Sequence, residues 1–524
     1  MFVLVDRISV ALRQDLEIPE AHLNETPDLP LAEIHTASLP AFRAAMAGRY
    51  TMIMKEDWEA SAEHLQRAVS EDSTYAFAHF YNYTNSLLRN DMGTARESIE
   101  TTIAHAYKLP ERVQFEVRST YYRFVKQDID RSIAVAEMYA ELYPDDLAAH
   151  QLMAALYADN GEREKAISEY KRTLELDPSR YGALRTIGIL YQAQGEFEQA
   201  RSYFERYAEQ FPNEARSFTN LGTLSRLQGD HEAAYDYFQR AALIDPNDSG
   251  VILDHAWAEY NMGRLDAALE HLEEALEAAV TTQERVAALN AFRAYYHRRG
   301  QLRRAVEYMH RKWTEAEGSQ PPLLAAQTKL FDLDVYVDAG MVQAAYDTLA
   351  AVEQRLEPPL DLVLPLGRMQ IAQALDDADE IEGASAGIER LIAGLGIEAL
   401  RWMQISGEGR ALALRGNCEQ ALISYERALE LEPTSIGIHR RIGECHRQIG
   451  DLATAEASLR RALSVSPYDA RAHTELARVY AEMDEAARAR RHLETALRIW
   501  ADADPVYEPA AEARELLASL PATS

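Results

Sequence analysis

Apolar and small residues recur along this chain at the three-to-four spacing of a helix face, and the helices themselves recur every 34 residues. Ala166, Ala200, Ala234 and Ala268 are 34 apart, each followed four positions later by a large apolar residue, Tyr170, Phe204, Phe238 and Leu272. A spacing of four sets both residues on one face of a helix. Gly161, Gly195, Gly229 and Gly263 keep the same period, and so do Pro144, Pro178, Pro212 and Pro246. A glycine midway through each unit takes a left-handed conformation and ends a first helix, and a proline near the end closes a second. The frame returns with Gly416 and Gly450, with Ala421, Ala455 and Ala489, and with Pro433 and Pro467. Two antiparallel helices per unit follow. Gly188, Gly222 and Gly443 in first helices let the paired axes approach, and Tyr157, Tyr191, Phe204 and Phe238 fill the space around such positions. A single hairpin cannot bury its apolar face, so units must stack. The fold class expected is all-α, a right-handed α-solenoid of about a dozen helix-turn-helix units.

These residues resemble the tetratricopeptide repeat, whose unit reads W-x2-L-G-x2-Y, then A-x3-F, then P. Leu221 and Gly222 with Ala234, Phe238, Ala241 and Pro246 match it, as do Leu184, Gly188, Tyr191, Ala200, Phe204 and Pro212. Regular units cover roughly 147–280 and 402–500. Looser hairpins are marked by Ser61, Leu65, Ala68 and Ala95, by Gly300 with Ala305, and by Gly340 with Ala345. The organisation expected is a short helix and Pro-containing linker over 1–40, degenerate repeats over 41–145 and a regular array over 146–317. Irregular helical repeats over 318–401, a second regular array over 402–500 and an acidic helix or tail over 501–524 complete it.

Val5, Ile8 and Leu12 fit one face of the opening helix, and Pro19, Pro27, Pro30 and Pro40 mark the linker. Together with Thr36-Ala37-Ser38-Leu39, this opening resembles the junction before the repeat tails of bacterial signalling proteins such as serine/threonine kinases. The sequence has no Gly-rich phosphate loop, His-Arg-Asp catalytic loop or Asp-Phe-Gly.

Charge narrows the partners. With 84 Asp and Glu against 54 Lys and Arg in 524 residues, the formal charge of -30 opposes binding to nucleic acid or to anionic lipid. At 47% hydrophobic residues the chain is far from a disordered composition. No apolar run is long enough for a spanning helix, and four apolar residues at the start fall short of a signal sequence. Two cysteines, Cys418 and Cys445, supply neither a disulfide framework nor a zinc site and read as buried thiols. The expectation is a bacterial, cytoplasmic protein.

Catalytic chemistry is not legible. Gly383-Ala384-Ser385-Ala386-Gly387 has the letters of a nucleophile elbow, but an acidic stretch, Asp376 to Glu382, precedes it where a buried strand is required. Small residues at a close helix approach explain it better. The Asp376–Glu382 stretch and Asp332, Asp334 and Asp338 lack the ligand spacing and turn glycine of a calcium loop. No catalytic residue, metal ligand or cofactor is assigned.

The resemblance implies that first helices line a concave groove through positions 2, 5, 9 and 12 of each unit. Counted from Leu147, Tyr181, Ala215 and Ser249, these positions carry Arg185, Arg216, Arg226, Trp257 and Tyr260 and no acid. Counted from Trp402, Ile436 and Ala470, they carry Arg410, Arg440, Arg447, Arg471 and Arg478 against one acid, Glu444. Arginine binds carboxylates and phosphates bidentately, and a cleft of one sign steers an oppositely charged partner. The function expected is a non-catalytic interaction scaffold that holds a protein or peptide, acidic or carboxylate-bearing, in an Arg-lined groove. Two further expectations stand beside it: the regulatory arm of a bacterial signalling enzyme whose catalytic domain is absent, and a self-assembling homo-oligomer.

Overall fold

The computed structural model describes residues 35–521 apart from 56, 90, 319, 321, 357–359 and 396; the opening helix and most of the linker expected before residue 40 lie outside these residues. The described residues form all-α arrays of stacked helical hairpins in two compact units, and the chain passes from the first to the second between Ala183 and Leu184, within the helix Tyr181–Ala193. The first unit contains α1 (Leu39–Met54), α2 (Trp58–Glu71), α3 (Ala76–Leu88), α4 (Met92–Ala104), α5 (Glu111–Phe124), α6 (Ile129–Leu142), α7 (Leu147–Asp159) and α8 (Arg163–Leu176). The second opens with α9 (Tyr181–Ala193), α10 (Phe197–Gln210), α11 (Ala215–Gln228), α12 (His231–Ile244), α13 (Ser249–Asn261), α14 (Leu265–Ala278), α15 (Thr282–Arg298) and α16 (Leu302–Glu317). Less regular helices follow: α17 (Pro322–Leu330), α18 (Leu333–Asp338), α19 (Val342–Glu353), α20 (Leu364–Ala374) and α21 (Ala378–Leu395). Regular hairpins then return as α22 (Arg401–Leu414), α23 (Cys418–Leu431), α24 (Ile436–Gln448), α25 (Leu452–Val465), α26 (Ala470–Glu482), α27 (Ala486–Ile499) and α28 (Glu508–Ser519). Among the described residues no helix is long and apolar enough to cross a membrane.

Local chemistry explains the boundaries. Asp57, Asp91, Asp128, Asp146, Asp230, Asp248, Asp451 and Asp469 are N-caps whose carboxylates accept from backbone N–H groups of the first turn, each worth about 1 kcal/mol. Part of the acidic surplus is therefore helix-start chemistry. Glycines 161, 195, 229, 263, 300, 340, 416 and 450 all have positive φ where a first helix ends. The close approach inside each hairpin is equally concrete: a Cβ on Gly188 would lie 2.5 Å from the Phe204 ring, and one on Gly222 would lie 2.8 Å from Phe238. Gly443 meets Leu459 in the same way at 2.6 Å.

Within the second unit the chain path returns on itself. The turns between first and second helices in residues 195–340 rest against loops of residues 433–507, more than 200 residues later for most contacts. His231 Nε2 donates to the Ser464 carbonyl at 2.8 Å, and Trp500 Nε1 donates to the Arg298 carbonyl at 3.0 Å. Asp504 N–H donates to the Gly300 carbonyl at 2.8 Å, and its carboxylate accepts from Arg303 N–H at 2.9 Å. Leu302 is buried among residues 455–513 in one apolar cluster, so this seam is a packed interface. Residues 256–411, including the irregular helices, surround a larger apolar cluster containing Phe292, Leu330, Met369 and Ile388.

Candidate functional site

Each sequence-derived candidate sits on a first helix, but the two arrays treat them differently. In the C-terminal array every groove arginine has a carboxylate. Arg410 reaches Asp376 at 2.5 Å and Glu444 at 3.3 Å. Arg440 lies 3.7 Å from Glu444, and Arg447 contacts Glu482 at 2.7 Å and Glu475 at 3.6 Å. Arg478 holds Glu512 at 2.7 Å and Glu475 at 3.2 Å. Arg471 bonds Asp338 at 2.8 Å, and that carboxylate also accepts from His297 Nε2 at 2.8 Å. Burial opposes ionisation of Asp338, yet the hydrogen bond from His297 and the charge of Arg471 hold its carboxyl below the usual carboxylate range.

The pairs follow the repeat. Asp376, in the turn after α20, and Arg410, Glu444, Arg478 and Glu512, on α22, α24, α26 and α28, are 34 residues apart and alternate in sign, a charge ladder in which Arg410 bridges Asp376 and Glu444 while Arg478 holds Glu512. Glu475, drawn into the same network, is raised above its ordinary range by burial and by neighbouring Glu444. The ladder borders a polar cleft of about 680 Å3. The same frame extended one unit on each side of the arginines, to 376 and 512, carries the alternation in the sequence itself.

The earlier array is unlike this. Among the described residues, no carboxylate pairs with Arg185, Arg216 or Arg226. Burial lowers Arg185, and the neighbouring Arg216 charge lowers it further. Arg185 Nε and Asn220 Nδ2 are buried donors without a hydrogen-bond partner; the Nε atoms of Arg410, Arg440, Arg447 and Arg478 share that state, but their guanidinium groups have carboxylates nearby. Arg226 is depressed by burial, partly offset by Asp254. Asp254 is pushed up to about 6, chiefly by desolvation. Trp257 is half-buried, with the Arg298 guanidinium 4.9 Å above its ring. Tyr260 is a correction to the groove set: its side chain is fully buried, packs edge-on against Tyr295 and belongs to the core. Arg298 escaped the sequence frame because α15 runs a turn longer than its counterparts.

The remaining motifs have structural roles. Ser385 lies inside α21, is buried, and donates to the Ile381 carbonyl one turn back at 2.9 Å. A Cβ on Gly407 would fall 2.5 Å from its Oγ, which is the close helix approach inferred from the small residues. Asp377 caps α21 by accepting from Asp379 and Glu380 N–H, while Asp379 and Glu382 pair with Arg415. Asp332 accepts from Trp313 Nε1 and pairs with Lys312 and Arg293. Cys418 and Cys445 are buried free thiols. Among the described residues no group of three or more His, Cys, Asp or Glu is arranged to hold a metal ion.

Three family models, each described as tetratricopeptide repeat, match the chain: one at 185–249 and 407–470, one at 226–291 and 448–508, and one at 147–180. The chain is a tetratricopeptide repeat protein. The matched repeats contain all ten candidate groove residues. No curated protein matches this repeat chain. A tetratricopeptide repeat protein from Parabacteroides merdae is 18% identical over 46% of this chain and 93% of its own, with a TM-score of 0.36. MamA 41-end from Desulfovibrio magneticus RS-1 is 17% identical over 32% and 94%, with a TM-score of 0.29. The APC/C hetero-tetramer Cut9-Hcn1 is 13% identical over 90% and 95%, with a TM-score of 0.31.

Proposed function

We propose that this tetratricopeptide repeat protein is a non-catalytic interaction scaffold that holds an acidic or carboxylate-bearing peptide on the first-helix face of residues 181–298. The observation that carries the reading is the contrast between the arrays. Groove arginines of the C-terminal array are neutralised by carboxylates of the same chain, whereas Arg185, Arg216 and Arg226 pair with none among the described residues. Buried donors without acceptors cost free energy that a carboxylate ligand recovers. Arg185 Nε and Asn220 Nδ2 are two such donors, and Trp257 offers an adjacent aromatic surface. The C-terminal groove arginines serve instead to hold neighbouring repeats in register.

The test is fluorescence anisotropy with a labelled Glu-rich peptide ending in a free carboxylate. Arg216→Glu with Arg226→Glu should weaken binding at least about tenfold, since each lost charge-assisted contact is worth roughly 1.5–3 kcal/mol. Far-ultraviolet circular dichroism at the assay temperature checks that the double variant stays folded, since Arg226→Glu adds a carboxylate beside Asp254. Unchanged anisotropy in the double variant refutes the assignment.

A further inference from the structure

A recurring histidine provides an internal comparison. The loop before several first helices leaves a carbonyl that a histidine six residues later satisfies: His150 Nε2 donates to Pro144 O, His439 Nε2 to Pro433 O, and His473 Nε2 to Pro467 O. In the repeat of α7 and α8, the other nitrogen, His150 Nδ1, lies 2.6 Å from the Glu169 carboxylate, nineteen residues on. The equivalent position in the repeat of α26 and α27 is His492, whose Nδ1 lies 2.8 Å from His473 Nδ1. A carboxylate has been replaced by an imidazole.

The replacement lies in a basic setting on a chain of charge -30. A pocket of about 320 Å3 between α25 and α27 is floored by His473 and Tyr480 and walled by His492, Arg460, Arg488 and Arg491, and no acid lines it. The proton positions follow from the partners. A carbonyl only accepts, so His473 carries its proton on Nε2, its Nδ1 accepts, and His492 Nδ1 donates. His492 Nε2 is then open to a second proton. Burial, together with His473, Arg460 and Arg491, pulls His492 down to about 4, the signature of a cationic site short of negative charge. Glu456 and Glu485 are the acids nearby: Glu456 pairs with Arg460 at 2.7 Å and accepts from Tyr480 Oη at 2.9 Å, and Glu485 pairs with Arg488 at 2.9 Å. The exposed one-turn pair of Glu485 and Arg488 is weak and reorganises readily. Arg491 donates only to the Ala487 carbonyl, at 3.4 Å.

We propose that the pocket formed by Arg460, Arg488, Arg491, His473 and His492 binds a phosphate group. Three guanidinium groups and a protonatable imidazole supply more donors than a carboxylate accepts, and a phosphate presents three strongly accepting oxygens with nearly two charges. The site lies between second helices α25 and α27 against His473 and Tyr480 of α26, apart from the residues of the peptide-binding face, and does not depend on it. The group belongs either to free inorganic phosphate or to a phosphorylated side chain.

The full-length chain is titrated by calorimetry with inorganic phosphate and, separately, with a phosphoserine peptide. Saturable one-site binding of either is expected, and a peptide at least about tenfold tighter than phosphate identifies the phosphorylated side chain as the source. Arg491→Ala should weaken binding about tenfold. His492→Glu should abolish it while retaining the fold, because it installs the His–Glu pair already used by His150 and Glu169; circular dichroism checks this. Absence of saturable binding with both probes overturns the proposal. Equal affinity in both variants, or equal binding of a peptide with glutamate in place of phosphoserine, overturns it as well.

Discussion

Replacing Gly263 by alanine tests the seam of the second unit, and Gly450 is its control. Both glycines have left-handed backbones, φ +76° and +83°, so a Cβ at either position costs about 1–2 kcal/mol of backbone strain. Their surroundings differ. Nothing lies within 4 Å of a Cβ on Gly450, whereas one on Gly263 would fall 1.9 Å from Tyr468 Oη and 2.2 Å from Cζ. The Tyr468 ring must move, and it stands edge-on to Tyr260 at 6.5 Å inside the seam. Overpacking of this kind costs about 1–3 kcal/mol. Gly450→Ala should therefore lose about 1–2 kcal/mol and Gly263→Ala about 2–5 kcal/mol. Adding Tyr468→Ala removes the obstacle, so the double variant should be more stable than the sum of the single effects predicts, by about 1–3 kcal/mol. Urea unfolding followed by far-ultraviolet circular dichroism and by tryptophan fluorescence measures the wild type, the three single variants Gly450→Ala, Gly263→Ala and Tyr468→Ala, and the double variant. Equal losses at the two glycines, or additivity of the Gly263 and Tyr468 changes, would refute the seam as a packed interface.

Two further outcomes follow from the charges. Asp254 has its folded-state pKa raised from 3.8 to about 6, so the folded chain binds this proton more tightly than the unfolded chain does. The penalty for ionised Asp254 is full above about pH 6 and disappears as pH falls below 3.8; Asp254→Asn should stabilise the protein at pH 7.5 by about 1–2 kcal/mol, with the gain gone near pH 4 in thermal melts. Arg410→Ala strands Asp376 and Glu444 and should cost about 1–3 kcal/mol in urea unfolding, with part recovered by Glu444→Ala.

Much of this was legible because the 34-residue period registers the same physical event at each recurrence. Gly161 through Gly263 announce left-handed helix ends, and Gly188 with Phe204, or Gly222 with Phe238, announce the close axes, since both depend on neighbours within one hairpin. The groove was legible in position but not in state. Sequence places Arg185 and Arg447 alike on first helices; only the fold shows that Arg447 has Glu482 beside it and Arg185 has no carboxylate. Tyr260 was misjudged because α13 meets α15 and the Tyr468 loop there, and a groove position became core. The seam itself was invisible: Trp500 with Arg298 and His231 with Ser464 join residues more than 200 apart and share no period.

The alternating ladder of Asp376, Arg410, Glu444, Arg478 and Glu512 constrains how such an array can grow. Duplicating one hairpin within it sets arginine beside arginine or carboxylate beside carboxylate, turning an attraction into a repulsion in a half-buried cleft. Duplicating two at once preserves the alternation. In this stretch the unit that preserves the alternation of sign is thus a pair of hairpins, 68 residues long, although the helices repeat every 34.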